Sequence, residues 1–331
     1  MKQEYSIKTN KDKFRSYLAT TKNQVEHELG EYIAGLPNLA LHPQIEYAVL
    51  SEGKRLRPLL VILSTECVGG SKKKVMSLAL AFELMHTATL VHDDIIDGDN
   101  NRRDIPALHK KWSVNDAILT GNALIALSVE LASSYGENIL KAVAQSALEL
   151  CDGEHMDINF SLTTATEESY FRMIREKSAS LFAAATYCGA LAGGGTPSES
   201  DSLTRFGENF GIAYQLRDDL LDLTQKENTA LKDLKNGRIT LPLIHSYTNS
   251  DRNEKKRIED KLRILTNGDC EIENETAESL MQILHHTGSL DYCEKKIDAH
   301  LCKAVASISM LQDTQYKAYL VEMTRALKTW G

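Results

Sequence analysis

The chain has 331 residues, of which 42% are hydrophobic and 25% are charged, and its formal net charge at pH 7 is −8. This composition is typical of a folded globular protein and excludes a disordered chain. The negative balance argues against nucleic acid as a partner, although a locally basic site for a phosphate-bearing ligand is compatible with it.

No uninterrupted apolar stretch approaches the roughly 18 residues that a membrane span needs, so we expect no transmembrane segment. The N-terminal segment is charged and lacks the apolar run of a secretory signal. The six cysteines show no C-x-x-C spacing, which predicts reduced thiols and no disulfide framework. Together these features predict a cytoplasmic protein.

Helical periodicity runs along most of the chain. It is clearest in residues 78–94, 114–134, 139–158 and 202–223. The short alternating runs that are typical of strands are missing. Neither an internal repeat nor a linker-like segment divides the sequence. The sequence therefore predicts an all-α chain of about ten helices without a sheet, forming one domain over residues 1–331.

A basic cluster stands just ahead of the first strongly apolar helix. The sequence GKRLRP contains Lys54, Arg55 and Arg57. Arginine makes bidentate contacts with phosphate, and lysine supplies a point charge. Taken singly, such residues are more often ordinary surface residues, but other basic residues follow later in the chain, at Arg102, Arg103 and Lys177.

Two aspartate triplets share the spacing i, i+1, i+4, and each closes an apolar helix: Asp93, Asp94 and Asp97, and then Asp218, Asp219 and Asp222. On a helix, the first and last members lie on one face about one turn apart. Carboxylates at a helix C-terminus oppose the macrodipole and destabilise the helix unless a cation compensates. One such triplet is more often a solvated cap. Two favour hard divalent ions such as Mg²⁺, with substrate phosphates as further ligands.

The ordered set of five motifs resembles the trans-isoprenyl diphosphate synthases, or polyprenyl synthetases, over roughly residues 40 to 250: GKRLRP, HTATLVHDDIIDGDNNRRD, REKSASLF, GIAYQLRDDLLD and DLKNGRITLP. The resemblance implies the isoprenoid synthase fold, a single-domain all-α helical bundle around a deep central cavity. It also implies a homodimer, with the two triplets facing each other across that cavity. The implied reaction joins isopentenyl diphosphate to an allylic diphosphate of five to fifteen carbons.

The resemblance implies roles for individual residues. Three Mg²⁺ ions, with Mn²⁺ as an alternative, would bind Asp93, Asp97 and Asp218, while support and catalysis would also involve Asp94, Asp219, Asp222 and Lys177. The allylic diphosphate would contact Arg102, Lys177, Ser178 and Gln215. Isopentenyl diphosphate would contact Gly53, Lys54, Arg57, His86 and Arg103. In the family the departing diphosphate takes the proton, so no side chain is assigned as the base.

Two segments depart from the family pattern. Glu154 stands where the family commonly has glutamine, which leaves the roles of Glu154 and Asp157 open. The loop from residue 223 to 233 is shorter than in most relatives and lacks their Gly-Lys pair. Lys226 or Lys232 is the alternative there, and Arg238 occupies the later basic position. For His86 and Gln215, the alternative is a satisfied polar residue of the core.

Residues one turn apart on the helix before Asp93 would meet successive isoprene units of the product. Ala88 and Thr89 are small, which argues against a stop at a C15 product. Met85 and then Phe82 come next, and Phe82 is the more rigid candidate floor. We therefore expect geranylgeranyl diphosphate, C20. Farnesyl diphosphate and products of C25 to C40 are the alternatives, and both residues could also be plain core.

Three other classes compete with this interpretation. A non-catalytic regulatory subunit typically loses a triplet, whereas this chain keeps both. A class I terpene cyclase generally carries an Asn/Ser/Glu pattern in place of the second triplet, which RDDLLD does not match. A structural cation-binding bundle would bind Mg²⁺ without requiring a diphosphate.

Overall fold

The structure is a computed structural model and describes residues 2–103, 105–224, 232–267 and 273–329. Helices make up most of these residues. In chain order they are α1 Lys2–Ala34, α2 His42–Val49, α3 Leu56–Cys67, α4 Met76–Ile96, α5 Leu108–Lys111, α6 Val114–Ser133, α7 Glu137–Ile158, α8 Glu167–Ile174, α9 Ser180–Ala192, α10 Pro197–Thr224, α11 Lys232–Lys235, α12 Leu241–Asn249, α13 Arg252–Asn267, α14 Glu273–His286, α15 Ser289–Ser307 and α16 Gln315–Leu327. A 3-10 turn covers Lys72–Lys74, and a π-helical turn covers Arg175–Ala179.

The prediction of an all-α chain is confirmed. The four clearest predicted segments correspond to α4, α6, α7 and α10, with ends that differ by a few residues. The described residues contain more helices than the predicted ten or so. The additional ones are short, such as α2 and α8 with eight residues each, and so few residues give little periodicity.

The prediction of no sheet is wrong in one place. Strand β1, Asn101–Arg102, pairs in antiparallel fashion with β2, Ile105–Pro106. Arg103, in the turn between them, has a φ of 52°. Two-residue strands are too short to produce a detectable alternation, and their pairing is set by the turn. This hairpin fixes the directions in which the two arginines point.

The described chain forms two compact units. The first consists of Met1–Ala147, Leu181–Gly207 and Ser307–Met323, and the second of Leu148–Ser180, Glu208–Ala306 and Thr324–Gly331. The assignment of residues 1–331 to a single domain stays a prediction.

In the first unit, α4 is the central helix. Its residues from Leu78 to Met85 are all buried, which is why its apolar pattern is nearly continuous. It packs against α3 and α6. The hydroxyl of Ser128 on α6 donates a hydrogen bond to the main-chain oxygen of Ala81 at 2.7 Å. The triplet at the end of α4 is therefore carried by a rigid element.

In the second unit, α8 and the last part of α10 supply buried residues such as Tyr170, Leu216 and Leu220. A polar contact links α8 to α15, since Glu167 accepts hydrogen bonds from Tyr292 and Lys296, both at 2.5 Å. The second triplet thus also ends a partly buried helix.

Among the described residues, α6 alone is long and apolar enough to cross a membrane by length and composition. The mean hydropathy of its most apolar 18 residues is 1.2, and 33% of that window is buried. We predicted no uninterrupted apolar run of that length, and the polar Asn122 and Glu130 do interrupt it. A core helix of a soluble protein passes the same test, and α6 packs along α4.

Candidate active site

The first triplet ends α4, with Asp97 at the C-cap. Its middle member, Asp94, is 4% exposed and is held by Arg102. Arg102 Nε donates to Asp94 Oδ1 at 2.7 Å, and Nη2 of the same guanidinium donates to that oxygen as well. Asp93 and Asp97 are more accessible. The triplet therefore combines one internally neutralised carboxylate with two that lie nearer to solvent.

The β1–β2 hairpin sends its two arginines in different directions. Arg102 turns to Asp94 and also lies 3.7 Å from Asp99. Arg103 instead donates a hydrogen bond to the main-chain oxygen of Glu52. A Cβ atom on Gly53 would lie 2.8 Å from Arg103 Nη1, so the guanidinium lies directly against the main chain of Gly53. The structure thus brings together Gly53 and Arg103, two of the residues predicted to bind isopentenyl diphosphate.

The other residues predicted to bind isopentenyl diphosphate differ in how exposed they are. Lys54 is exposed, and the guanidinium of Arg57 lies 4.3 Å above the ring of Phe182. Burial lowers the pKa of His86 well below its usual value, and the positive charges of Arg57 and Arg103 lower it further. Nδ1 of His86 has no hydrogen-bond partner. His86 is therefore a neutral imidazole in a basic environment, and its Nδ1 is a buried nitrogen without a hydrogen-bond partner.

The four predicted chain-length residues lie along α4. Phe82 and Met85 are each 1% exposed, and Ala88 is fully buried. Thr89 is half-buried and donates a hydrogen bond to the main-chain oxygen of His86 at 2.8 Å. Such burial is expected of a core residue and of a tunnel floor alike. Their role in product length stays a prediction.

The second triplet occupies the last turns of α10. Its middle member, Asp219, is 5% exposed, whereas Asp218 is exposed and Asp222 is half-buried. Asp219 accepts a hydrogen bond from Gln215 Nε2 at 2.7 Å and another from the hydroxyl of Tyr170. Burial, together with the charge of Asp233, raises the pKa of Asp219 to about 8. A bound cation would act in the opposite direction.

Lys177 and Ser178 lie on the π-helical turn that follows α8. Such turns occur frequently at functional sites. Gly153 on α7 allows this turn to come close, because a Cβ atom there would lie 2.1 Å from the main-chain nitrogen of Lys177. Lys177 Nζ lies 2.5 Å from Asp157 and 2.7 Å from Glu154. Glu154 and Asp157, whose roles the sequence left open, are therefore both partners of Lys177.

A hydrogen-bond chain joins the π-helical turn to the second triplet. The hydroxyl of Ser178 donates to Gln215 Oε1 at 2.6 Å, and Gln215 in turn donates to Asp219. Because its oxygen accepts while its amide donates, Gln215 is held in one orientation. Lys177, Gln215, Asp219 and Arg238 line one small cleft of the second unit.

The segment after α10 is described only in part. Residues 225–231 lie outside the described residues, as does the predicted alternative Lys226, and the side chain of Lys232 is likewise not described. The main-chain nitrogen of Asp233 donates to Asp222 Oδ2 at 3.1 Å. Arg238 Nη1 lies 3.5 Å from Asp233, and its Nε lies 3.9 Å from Asp157. Arg238 thus lies beside Asp157, one of the two carboxylates that also hold Lys177.

Two residues of these networks were missed by the sequence analysis. Tyr170 is fully buried and binds Asp219, but a tyrosine in a mixed polar helix gives no distinguishing signal. Glu83 is 2% exposed and binds Arg55. It could have been found, because a lone carboxylate in the apolar run ALAFELMH requires a buried partner.

The carboxylates fit hard divalent ions that share a diphosphate. The donors are all oxygen atoms, and in each triplet the middle member is taken up by the protein while the outer two are more accessible. Within the part of the chain that the structure describes, no group of three or more His, Cys, Asp or Glu residues is arranged to hold an ion by itself. Mg²⁺ usually takes one or two carboxylates and completes its shell with phosphate and water.

The sequence matches the polyprenyl synthetase family over residues 39–282. It is 33% identical to geranylgeranyl diphosphate synthase of Methanosarcina mazei over 86% of this chain and 87% of that protein. It is also 33% identical to an all-trans-nonaprenyl-diphosphate synthase of Rhodobacter capsulatus. That match covers 85% of this chain and 86% of that protein.

A solved structure is similar over nearly the whole chain. It is a polyprenyl synthase from Caulobacter crescentus in complex with calcium and isoprenyl diphosphate. The TM-score is 0.87 and the identity 27%, covering 96% of this chain and 97% of that one. The helical architecture described above is therefore the one found in isoprenyl synthases.

Proposed function

The chain belongs to the polyprenyl synthetase family and is a trans-prenyltransferase, and we propose that it makes geranylgeranyl diphosphate in a magnesium-dependent reaction. The substrates would be isopentenyl diphosphate and an allylic diphosphate of five to fifteen carbons. The observation that carries this proposal is the shared construction of the two triplets, in which a buried middle aspartate is held by the protein and the outer aspartates are more exposed.

Asp93, Asp97 and Asp218 would hold the ions, three in all, and Asp222 would assist. Bound Mg²⁺ would neutralise the diphosphate charge and so favour its departure. The protein fixes the shape of each triplet through the middle residues, since Asp94 is tied to Arg102, and Asp219 to Tyr170 and Gln215. Ordered carboxylates need little reorganisation when charge develops.

The allylic diphosphate would bind at Lys177, with Arg102, Ser178 and Gln215 as further contacts. Lys177 is already held by Glu154 and Asp157, within 2.7 Å of each. A diphosphate would compete with these carboxylates for the three N–H donors of the ammonium group. In this way Glu154 would orient Lys177 before the substrate arrives, a task for which a charged residue suits better than the family's usual glutamine.

Isopentenyl diphosphate would bind at Gly53, Lys54, Arg57, His86 and Arg103. The lowered pKa keeps His86 neutral, so it would donate a hydrogen bond without adding a positive charge. The double bond of isopentenyl diphosphate would attack the allylic cation left by the departing diphosphate. Loss of a proton to that diphosphate would complete a five-carbon extension, so the protein need not supply a base.

Product length is the finer part of the proposal. Phe82 and Met85 are buried on α4 within the first unit, about four and about three turns before the end of the helix. Their bulk supports a C20 product, and the named activity of the Methanosarcina relative agrees with it. The Rhodobacter relative, equally identical, makes a longer product by its name, so overall identity to a relative does not by itself set the length.

We further propose a cytoplasmic homodimer that does not span a membrane. Three apolar residues of α6 support an interface, because Val114, Ile118 and Leu119 are 42% to 53% exposed. Exposed apolar groups clustered on one helix are typical of contact surfaces. The free cysteines found among the described residues agree with a reducing compartment.

The test is incubation of the purified protein with labelled isopentenyl diphosphate and C5, C10 or C15 primers. We expect a C20 alcohol after dephosphorylation and chromatography, formed with Mg²⁺ and lost when EDTA removes the metal. Absence of any labelled allylic product would refute the condensation. A product of C15 or of C25 to C40 would refute only the assigned length.

A further inference from the structure

Arg55, the middle residue of the basic loop, faces the interior of the first unit. Its side chain is 3% exposed, and its Nη1 donates to Glu83 Oε1 at 2.6 Å. Its Nη2 donates to the main-chain oxygens of Val49 at 3.1 Å and Ser51 at 2.7 Å. The guanidinium is therefore committed to protein groups, and the next residue back in the chain, Lys54, is exposed.

The backbone of Arg55 is left-handed, with a φ of 51° and a ψ of 38°. Few residues other than glycine adopt this conformation, which persists only where the surroundings enforce it. Here the three hydrogen bonds of the side chain supply that constraint. The resulting change of chain direction comes directly before α3, between Lys54 and Arg57.

Glu83 connects this loop to α4. It is 2% exposed, and a carboxylate at such a position requires a paired cation. It precedes His86 by three residues, so both side chains lie on the same side of the helix. The ion pair therefore joins the loop of Gly53 and Lys54 to the helix that carries His86.

We propose that Arg55 and Glu83 form a positioning pair that sets the isopentenyl diphosphate loop against α4, and thereby sets Lys54 and Arg57 relative to His86. The inference rests on the proposed function, since it concerns the same binding site. Neither member of the pair touches the substrate. A shift of about 1 Å in such a site costs roughly a hundredfold in efficiency.

The main test is the double variant Arg55→Met/Glu83→Leu. Removing both charges leaves no unpaired buried ion, and apolar side chains of similar size usually preserve stability. We expect KM for isopentenyl diphosphate to rise about tenfold or more, while KM for the allylic primer stays unchanged. The Kd for isopentenyl diphosphate, measured by titration calorimetry, should rise by the same factor.

Two single variants grade the effect. Glu83→Gln keeps the shape and a hydrogen-bond acceptor but loses the charge. Arg55→Lys keeps the charge but loses the planar donors that reach Val49 and Ser51. Each should give a KM for isopentenyl diphosphate between the wild-type and double-variant values. These variants also decide the question if the double variant does not fold.

The control is Tyr17→Phe, which removes a partly buried contact of the first unit, the 2.5 Å hydrogen bond from Tyr17 to Glu66. It should lower stability and leave both KM values unchanged. If the double variant folds and keeps the wild-type KM and Kd for isopentenyl diphosphate, the pair is only structural and the inference is overturned. A wild-type protein that neither binds nor condenses isopentenyl diphosphate would overturn the proposed function and this inference together.

Discussion

The two triplets have the same spacing but bury their middle aspartate by different means. In the first unit a cation neutralises it, because the guanidinium of Arg102 is bonded to Asp94. In the second unit the donors found among the described residues are neutral, because Tyr170 and Gln215 hold Asp219, and burial raises the pKa of that carboxyl. A repeated motif therefore does not imply a repeated environment. The common property is that the outer aspartates stay more accessible.

The largest effect is expected from replacing the outer aspartates. These variants test whether the outer aspartates of the two triplets have equivalent roles. Asp93→Ala and Asp218→Ala should each lower kcat by at least 10²-fold to 10³-fold, on the scale of removing one group that stabilises transition-state charge. Steady-state assays at saturating substrates and Mg²⁺ would measure this. Asp201→Ala is the matched control, because Asp201 is an exposed aspartate of α10 that pairs with Arg205. A near-normal kcat for either site variant would remove its proposed metal role.

A second experiment tests whether residues of the first unit alone determine the length of the product. Phe82→Ala should lengthen the product by at least one isoprene unit, because it removes the proposed floor. It should also destabilise the fold by about 3–5 kcal/mol. Product chromatography and urea denaturation would measure the two effects. Phe14→Ala, a buried phenylalanine of α1 against Tyr319, should cost stability without changing the product. An unchanged product from the Phe82 variant would reject it as the floor.

The contrast between the middle aspartates can be measured directly. Arg102→Met leaves a charged Asp94 buried without its partner and should lower the free energy of unfolding by about 2–3 kcal/mol. Tyr170→Phe removes one of two neutral donors and should cost only about 1–2 kcal/mol. Chemical denaturation at pH 7 gives both values. Equal losses would mean that the charge of Arg102 contributes nothing beyond its hydrogen bonds.

The smallest effect concerns pH and lies in the second unit. Burial, followed by the charges of Lys303, Lys296 and Arg175, lowers the pKa of His300 to about 4. The unfolded chain takes up this proton near the ordinary pKa of about 6.5. The folded state is thus fully stabilised above pH 6.5 and loses that stability as the pH falls towards 4.

His300→Gln removes this titration and should flatten the loss of stability between pH 6.5 and 4. Glutamine can still donate to Asn209, whose side-chain oxygen lies 2.9 Å from His300 Nδ1. Denaturation midpoints at several pH values would measure the slope. A variant that loses stability as steeply as the wild type would show that His300 is not the group responsible.

The sequence predicted the helices best where a long segment carries a clear apolar periodicity. The long segments around α4 and α10 carry enough periodicity to be recognised as helices. Once they are placed on a helix, the spacing of their aspartates shows which of them lie on one face. The β1–β2 hairpin and the π-helical turn were not found, because both depend on hydrogen bonds over a few residues. Local pattern alone gives no access to them.

For the candidate site, the sequence indicated which residues to consider, but it did not indicate their hydrogen-bond and ion-pair partners. The sequence placed Lys177 and Gln215 in the site, and the structure adds that Glu154, Asp157 and Ser178 hold them. Such partners come from distant parts of the chain, so spacing does not show them. Arg55 is the opposite case: it was grouped with phosphate-binding residues, yet its side chain points to Glu83.

The π-helical turn also bears on how insertions and deletions act in this protein. Each residue added to a helix rotates the later residues by about 100° around its axis, and a π turn is such an addition absorbed locally. Tyr170 precedes this turn and Lys177 lies within it, yet both line the same cleft. Deleting a single amino acid here would leave a smoother helix by every local measure. It would also rotate Lys177 away from the cleft. The deletion would therefore make the helix more regular and the enzyme less active.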